Sequence, residues 1–278
     1  MQRNRLSYFQ LPIISLMLAL GPAHAQDDDA AAAMAKALQD PLASIKALIT
    51  DNSISFDGGA EEDDTTYNFQ VQPVYSIPNE GNNNYIARGV FPIIGIEPGV
   101  VKPPLGPEPT PDDGSTWGLG DSFLQLFISP RSDSAIKWGI GPQVSLPTHS
   151  NDRIKGPGWG AGLAGVIVGG SGNWAYSALL GQHWGEDDFE LATIQPGIWW
   201  NSPTIPGLAI GYSNTITYNW NADSGQRWNI PLGVTVGRTL ALDSGNGLDL
   251  NIGLYNMVER PDSSPEWQIK LGISWLFN

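Results

Sequence analysis

The chain has 278 residues, no cysteine, and 28 acidic against 14 basic residues, which gives a formal net charge of −14. The lack of cysteine excludes disulfides and thiolate metal sites, and the acidic balance argues against nucleic acid, whose phosphates are bound by clusters of Lys and Arg. With 33 Gly, 22 Pro and 11 Trp, the composition indicates many strands joined by turns.

Residues 1–25 have the features of a secretory signal peptide. Arg3 and Arg5 precede an apolar core from Leu11 to Leu20, and Ala23-His24-Ala25 is a small-x-small cleavage site. The apolar core is too short for a membrane-spanning helix, although a retained anchor is the alternative. Cleavage removes both Arg and no acid, so 12 basic and 28 acidic residues remain, with a charge of −16.

Residues 26–51 are predicted to form a helical segment that is separate from the rest of the chain. Ala30–Leu38 and Leu42–Ile49 have helical patterns and are divided by Pro41, whose ring interrupts a helix. Their apolar residues are spaced to form one stripe: Leu38, Leu42, Ile45 and Ile49. We expect this segment to cap a barrel, to enter it as a plug, or to lie on its periplasmic side.

From residue 52 to residue 278 the hydrophobic period changes to two, which is typical of β-strands. The predicted strands are Asn52–Asp57, Thr65–Ile77, Asn84–Ile96, Gly118–Ser129, Ile136–Pro147, Trp159–Gly169, Asn173–Trp184, Phe189–Trp200, Leu208–Trp220, Gln226–Thr239, Leu248–Val258 and Glu266–Phe277. Bacterial outer-membrane barrels have even strand numbers, and this set of twelve is even. Because Pro has no N–H for the ladder, we expect irregular pairing at Pro73, Pro142, Pro196 and Pro231.

The last strand shows the pattern most clearly. Its odd-numbered residues are all apolar: Trp267, Ile269, Leu271, Ile273, Trp275 and Phe277. The even-numbered residues between them are polar or small: Gln268, Lys270, Gly272 and Ser274. Successive side chains of a strand point to opposite faces, and aromatic residues near both ends are typical of strands that cross lipid. The sequence therefore predicts an all-β protein, a closed antiparallel transmembrane β-barrel of about twelve strands.

The connections between the predicted strands differ in length. If both termini are periplasmic, the short links Gly170–Gly172, Asn201–Gly207 and Ala241–Gly247 fall at the periplasmic end. The long or acidic links, among them Glu97–Trp117 and Thr148–Gly158, then lie outside the cell. Outer-membrane barrels have this arrangement.

Several segments resemble a bacterial family of outer-membrane proteins, the MetA-pathway of phenol degradation family, some of whose members are mislabelled neuromedin U. The matching residues are Leu38–Pro41, Tyr67–Pro73, Gly118–Asp121, Gly139–Pro142, Trp220–Trp228 with Pro231 and Gly233, and Tyr255-Asn256 through Arg260–Asp262 to Trp267-Gln268. The resemblance implies an outer-membrane barrel that passes small molecules, including apolar or aromatic compounds.

Polar side chains at the strand positions that are predicted to face inward are candidates to line the lumen. They are Gln70, Gln72, Arg88, Asp121, Lys137, Gln143, His183, Gln195, Trp199, Arg227, Asn229, Asp249, Asn251, Gln268 and Lys270. Such groups line an aqueous path and set its selectivity. In the alternative, ion pairs fill a narrow barrel, with Arg227, Lys137 and Lys270 paired to Asp121 and Asp249. Barrels of about eight strands are filled and those of about sixteen are open, so twelve strands allow both.

An outer-membrane hydrolase is disfavoured. His149-Ser150-Asn151 suggests a triad, but neighbouring side chains of a strand point apart. His183 also lacks the base-and-orienter arrangement that a catalytic serine needs. Nor do the acidic segments, such as Glu61–Asp64, have the spacing of a calcium loop. We therefore expect no enzymatic activity, no cofactor and no metal.

The sequence thus predicts a porin-like transport channel in the outer membrane of a Gram-negative bacterium. Its expected partners are outer-membrane lipid and lipopolysaccharide, the barrel assembly machinery, and a small-molecule solute. Phe277, one place before the final Asn278, is expected to serve as the terminal aromatic that the assembly machinery recognises. A non-transporting structural or surface-interaction protein is the alternative.

Overall fold

The structure, a computed structural model, describes residues 25–59, 64–97 and 114–278. Its elements are α1 (Ala25–Leu38), β1 (Lys46–Gly58), β2 (Asp64–Ile77), β3 (Asn83–Ile96), β4 (Thr116–Leu119), β5 (Ser122–Pro130), β6 (Ile136–Leu146), a 3-10 turn (Asp152–Ile154), β7 (Gly160–Ser171), β8 (Trp174–Trp184), β9 (Glu190–Asn201), β10 (Leu208–Ser213), β11 (Ile216–Asn219), β12 (Trp228–Ala241), β13 (Gly247–Glu259) and β14 (Trp267–Phe277). The signal peptide predicted at residues 1–25, apart from Ala25, and the acidic residues 61–63 lie outside these ranges.

The β-segments form one antiparallel sheet that closes on itself. β1 pairs with β14, from Lys46 opposite Phe277 to Phe56 opposite Trp267. β4 and β5 both pair with β3, while β10 and β11 both pair with β9 and β12. Each of these couples is therefore one interrupted strand, and the fourteen segments form a barrel of twelve strands. The predicted closed antiparallel barrel is confirmed.

The outer surface of the barrel is apolar. In β14 the side chains of Trp267, Leu271 and Ile273 are exposed, whereas those of Lys270 and Ser274 are buried. The other strands repeat this alternation, with many large apolar side chains exposed all round the barrel. Soluble monomers rarely expose contiguous apolar patches of such extent, and barrels that span a membrane do so as a band.

The segment before the barrel is shorter and less helical than predicted. α1 ends at Leu38 and β1 already begins at Lys46, so the predicted helix over Leu42–Ile49 is wrong and the first strand is longer than Asn52–Asp57. The residues from Lys46 pair with both β2 and β14. This pairing overrides the helical spacing because an open sheet edge in hydrocarbon would leave its backbone groups unsatisfied. No helix in the described ranges has the length and apolar character needed to cross a membrane.

Prolines mark the places where the ladder lapses, as predicted. The β2–β3 pairing skips the pair at Pro73, and the β5–β6 pairing skips the pair at Pro142. The pairing of β9 with β10 and β11 lapses at Pro196, and the β12–β13 register shifts at Pro231. Pro92, on β3, lies between the partners of β5 and those of β4. Each of these five interruptions coincides with a residue that cannot donate to the ladder. The β1–β14 pairing also lapses at residues 50–51, where there is no proline.

Candidate functional site

The barrel has two unlike ends. β1 begins and β14 finishes at the same end, where Lys46 lies opposite Phe277; we call it the terminal end. Short turns such as residues 172–173 and 242–246 connect strands there. The other end, the loop end, holds longer connections such as residues 147–159.

The segment before β1 closes the terminal end from inside; we call residues 25–45 the plug. Ala31 and Ala35 of α1 are buried, and the helix contacts β10, β12 and β13. Glycines let it approach the wall closely. A Cβ added at Gly207 would lie 3.4 Å from the Cβ of Ala31, and one added at Gly247 would lie 2.9 Å from the sulfur of Met34.

Two side-chain polar contacts tie the plug to the rim of the barrel. The side-chain amides of Gln39 and Asn201 bond reciprocally, each at 2.9 Å. Lys137 Nζ lies 2.9 Å from Asp40 Oδ2, and Asp40 Oδ1 accepts from the backbone N–H of Leu42 at 2.8 Å. Asp40 therefore both fixes the turn and anchors it to β6.

Leu42 wedges the plug into an apolar part of the inner wall. Its side chain is 3% exposed, and it packs in a cluster with Ile86, Phe127, Ala164, Val166, Val168 and Leu179. These residues come from β3, β5, β7 and β8. The plug thus seals one side of the lumen by hydrophobic burial, which needs no directional bond.

A cavity of about 210 Å³ remains within the lumen, against the plug. Its apolar lining includes Leu38, Pro41, Ile45, Ile49, Val74, Ile86, Phe127, Leu179 and Trp199. Its polar lining includes Gln39, Asp40, Asp51, Gln72, Arg88, Gln195, Ser213, Asp249, Asn251 and Lys270. The cavity is therefore amphipathic.

A chain of glutamines centred on Arg88 runs along the inner wall. The Arg88 guanidinium donates to Gln72 Oε1 at 2.7 Å and to Gln125 Oε1 at 3.0 Å. Gln72 donates onward to Gln70 at 2.7 Å, and Gln125 donates to Gln143 at 2.9 Å. In every one of these bonds the donor is the side chain nearer to Arg88, so the positive charge of the guanidinium polarises the amides on both sides.

The strands next to this chain of glutamines, β1, β14 and β13, carry an ion pair and a hydrogen-bonded carboxylate. Lys270 Nζ lies 2.9 Å from Asp51 Oδ1 and donates to the backbone oxygen of Ser213 at 3.3 Å. Asp249 accepts from Thr239 Oγ1 at 2.7 Å and from Asn251 Nδ2 at 3.1 Å. These carboxylates thus have partners of their own.

The loop at residues 147–159 folds over the loop end. Asp121 is buried and accepts from the backbone N–H groups of His149, Gly156 and Gly158 at 3.1, 2.8 and 2.7 Å. His149 Nδ1 lies 2.6 Å from the same carboxylate. Asp121 therefore organises this loop rather than facing an open path.

Further contacts pack the same loop against its surroundings. Ile154 is fully buried with Ile94 and Ile96 of β3. Lys155 Nζ lies 2.6 Å from Asp187 and 3.2 Å from Glu186. The hydrogen bonds to Asp187 and then to Glu186 raise the pKa of Lys155 above its ordinary value.

His183 lies inside the barrel near the loop end. Its Nε2 is 2.9 Å from Ser145 Oγ, and its ring contacts those of Phe123 and Phe189 edge-on. Both His183 and Ser145 are buried, and among the described residues His183 has no carboxylate partner. Ser150, the other candidate nucleophile, bonds the backbone N–H of Leu119.

The cavity brings together seven of the residues predicted to line the lumen: Gln72, Arg88, Gln195, Trp199, Asp249, Asn251 and Lys270. Gln70 and Gln143 lie on the glutamine chain, Lys137 lies at the rim, and Gln268 accepts from Asn214. Asp121 and His183 lie near the loop end, Asn229 lies on β12 near that end, and Arg227 is exposed just before β12. Arg227 bonds Ala222 O and Tyr218 Oη.

The predicted ion pairs are wrong. Lys137 and Lys270 pair with Asp40 and Asp51, whereas Asp121 and Asp249 have the other partners described above. Asp51 was missed because the residues to 51 were assigned to a helix. Gln125 was also missed. It lies two residues before the inward-facing Phe127 on β5, so the alternation of the strand places it inside the barrel as well.

Comparisons with known proteins show the fold. An outer membrane channel from Pseudomonas putida F1 superposes with a TM-score of 0.59 and 15% identity, over 85% of this chain and 97% of that chain. The KdgM porin superposes with a TM-score of 0.43 and 10% identity, over 84% of this chain and 99% of that one. No family model matches the sequence, and no curated protein does either. Membership of the MetA-pathway family therefore stays a prediction.

Proposed function

We propose that the protein is an outer-membrane channel that passes small molecules, including apolar or aromatic compounds. The observation that carries this proposal is an amphipathic cavity whose floor is a plug rather than the barrel wall. In the proposed orientation the terminal end and its short turns face the periplasm, as is usual for these barrels. Outer-membrane lipid, lipopolysaccharide and the barrel assembly machinery are then its partners, in addition to the solute.

The plug can leave without breaking the sheet. Its side-chain ties to the wall are the Gln39–Asn201 amides, the Asp40–Lys137 pair and the buried Leu42. A backbone bond, which the N–H of Ser76 donates to the oxygen of Ile45, is at the last residue of the plug, which can stay with β1. An ion pair as exposed as that of Lys137, at 46% side-chain exposure, contributes only about 0–1 kcal/mol. The main cost of opening is then the exposure of Leu42 and the alanine face of α1, which a solute with an apolar body would offset.

The contacts of the histidines favour a channel over a hydrolase. A serine nucleophile needs a base that a third group orients. His149 is bonded to Asp121 while Ser150 bonds a backbone group, and the buried pair His183–Ser145 has the ring edges of Phe123 and Phe189 around it. A non-transporting structural role remains the competing function, which a conductance measurement separates.

The test uses a plug that can be locked and released in one protein. The sequence has no native cysteine, so Gln39→Cys with Asn201→Cys can be bridged by a short bifunctional thiosulfonate that dithiothreitol removes. In liposome swelling with neutral aromatic solutes, we expect slow flux when the bridge is present and restored flux on reduction.

Two matched controls accompany it. The single variant Asn201→Cys, treated identically, should respond to neither reagent. A chain lacking residues 26–44, which leaves β1 intact, should be constitutively open. Absence of flux from the mature chain, from the reduced double variant and from the truncated chain would refute the channel and favour the structural role.

A further inference from the structure

Arg88 is the charged group of the cavity lining whose hydrogen-bond partners are all neutral. The Asp51 carboxylate attracts it electrostatically but is itself paired with Lys270. The charged residues of that lining are Asp40, Asp51, Arg88, Asp249 and Lys270. Asp40 and Asp51 each form an ion pair with a lysine, and the two oxygens of Asp249 accept from Thr239 and Asn251. The guanidinium of Arg88, by contrast, meets the amide oxygens of Gln72 and Gln125.

The geometry leaves part of the guanidinium available to a ligand. A guanidinium has five N–H donors, and two of the Arg88 nitrogens each make one bond to a glutamine. The side chain is half-buried and lines the cavity. Gln72 and Gln125 are themselves held by Gln70 and Gln143, so the planar fork is fixed before any ligand arrives. A fixed fork loses little entropy when it binds a carboxylate in two-pronged fashion.

Apolar side chains lie beside this cation. Ile86 precedes Arg88 by two residues on the same face of β3 and is 1% exposed. Phe127, on the adjacent β5, and Leu179, on β8, line the same cavity. A ligand with one anionic end and an apolar or aromatic body therefore matches the site in both parts.

We propose that the cavity binds small carboxylic acids with an apolar or aromatic body, with the carboxylate on Arg88 and the body against Ile86, Phe127 and Leu179. This inference rests on the proposed channel function, of which it names the substrate class. Neutral analogues fill the apolar part but leave the guanidinium without an anion, and amines place a positive charge against it.

The test measures binding to the full mature chain in detergent micelles by isothermal titration calorimetry, with benzoate, benzamide and benzylamine as probes. We expect benzoate to bind at least about tenfold more tightly than benzamide, because hydrogen bonds to a charged group are the stronger kind. Arg88→Gln should weaken benzoate about ten- to hundredfold and leave benzamide unchanged. Arg88→Lys, which keeps the charge but not the fork, should fall between them.

Controls keep the outcome interpretable. Lys46→Gln removes a cation that lies outside the cavity lining, beside the ring of Tyr75, and should leave benzoate binding as it is. The heat-dependent shift of the folded barrel in electrophoresis reports that each variant is folded. Equal affinity for benzoate and benzamide, or equal loss of both in Arg88→Gln, would overturn the proposal. Binding needs no passage, so liposome swelling without benzoate selectivity would leave the channel standing and remove only the substrate class.

Discussion

Two stretches of the barrel wall are built in different ways. β7 and β8 pair without a break from Ala161 opposite Trp184 to Ser171 opposite Trp174. Between the interrupted strand β10–β11 and its neighbour β12, pairing lapses where residues 212–216 face residues 230–234. The first stretch satisfies its backbone within the sheet, and the second cannot.

Side chains inside the barrel complete the interrupted wall. The Tyr255 hydroxyl lies 3.1 Å from the N–H of Ser213, 3.3 Å from its carbonyl oxygen and 2.6 Å from Thr235 Oγ1. Tyr212 donates to the carbonyl of Pro231 at 2.8 Å. Because an unsatisfied backbone group in hydrocarbon costs several kcal/mol, the integrity of this stretch depends on particular side chains. The regular stretch needs only strands in register.

The largest effect is expected from a charge on the outer face of the regular stretch. Leu180 lies near the middle of β8 and is 49% exposed. Leu180→Arg should destabilise the barrel by about 2–4 kcal/mol, because an arginine at the bilayer midplane is costly. The measurement is reversible urea unfolding of the barrel in lipid vesicles.

Its matched control lies at the end of a strand. Ile136 is the first residue of β6 and is also exposed, and Ile136→Arg should cost about 0–1 kcal/mol because the interface tolerates charge. Equal effects at the two positions would mean that depth in a bilayer plays no part.

A smaller loss of stability is expected when the hydroxyl of Tyr255 is removed from the interrupted stretch. Tyr255→Phe leaves the packing of the ring, which is fully buried, but removes the hydrogen-bond partner of the Ser213 N–H and of the Thr235 hydroxyl. Leaving buried polar groups unsatisfied costs about 1–3 kcal/mol, so we expect about 2 kcal/mol in the same unfolding assay. Tyr176→Phe on the outer face of β8, where the ring is 44% exposed, should change stability by less than about 0.5 kcal/mol. A Tyr255→Phe barrel as stable as the parent would show that the lapse is satisfied by other means.

The smallest effect concerns the residue within the interruption itself. Asn214 is buried, donates to Gln268 at 2.8 Å and accepts from the N–H of Thr215 at 2.8 Å. Asn214→Ala should cost about 1 kcal/mol in free energy of unfolding and should speed amide exchange at Thr215. Asn173→Ala, in the tight turn between β7 and β8, is the comparison and should leave exchange within β8 unchanged.

The sequence predicts the regular stretch well and the interrupted one poorly. Strict alternation decides which face of each strand is apolar, and the bounds predicted for β8 and β14 differ from the structure by one residue at one end. The residues that compensate for a lapse in pairing are distant in the chain, such as Tyr255, whose hydroxyl bonds the backbone of Ser213. The sequence of a single strand contains no signal for that contact. Pro196 and Pro231 indicate only where the ladder is weak.

The cavity shows the same division. Parity places Gln72, Arg88 and Lys270 inside the barrel, but the partners of the charges were predicted wrongly because ion pairs depend on which strands are neighbours. The plug was one of three placements predicted for the segment before the barrel, and the end of that segment was predicted wrongly for another reason. The apolar spacing of Leu42, Ile45 and Ile49 fits a helix, whereas closure of the barrel requires β14 to have a partner strand.

The central claim is that the alternate side chains of the strands face lipid and lumen, and it can be tested on β14 alone. Because the sequence has no native cysteine, single cysteines from residue 268 to residue 276 can be spin-labelled in lipid vesicles and their collision rates with oxygen compared with those of a polar nickel chelate. The account predicts a period of two, with the labels at residues 269, 271 and 273 in contact with oxygen-rich lipid and those at 270, 272 and 274 shielded from it. A profile without that period, or one with the two sets exchanged, would contradict it.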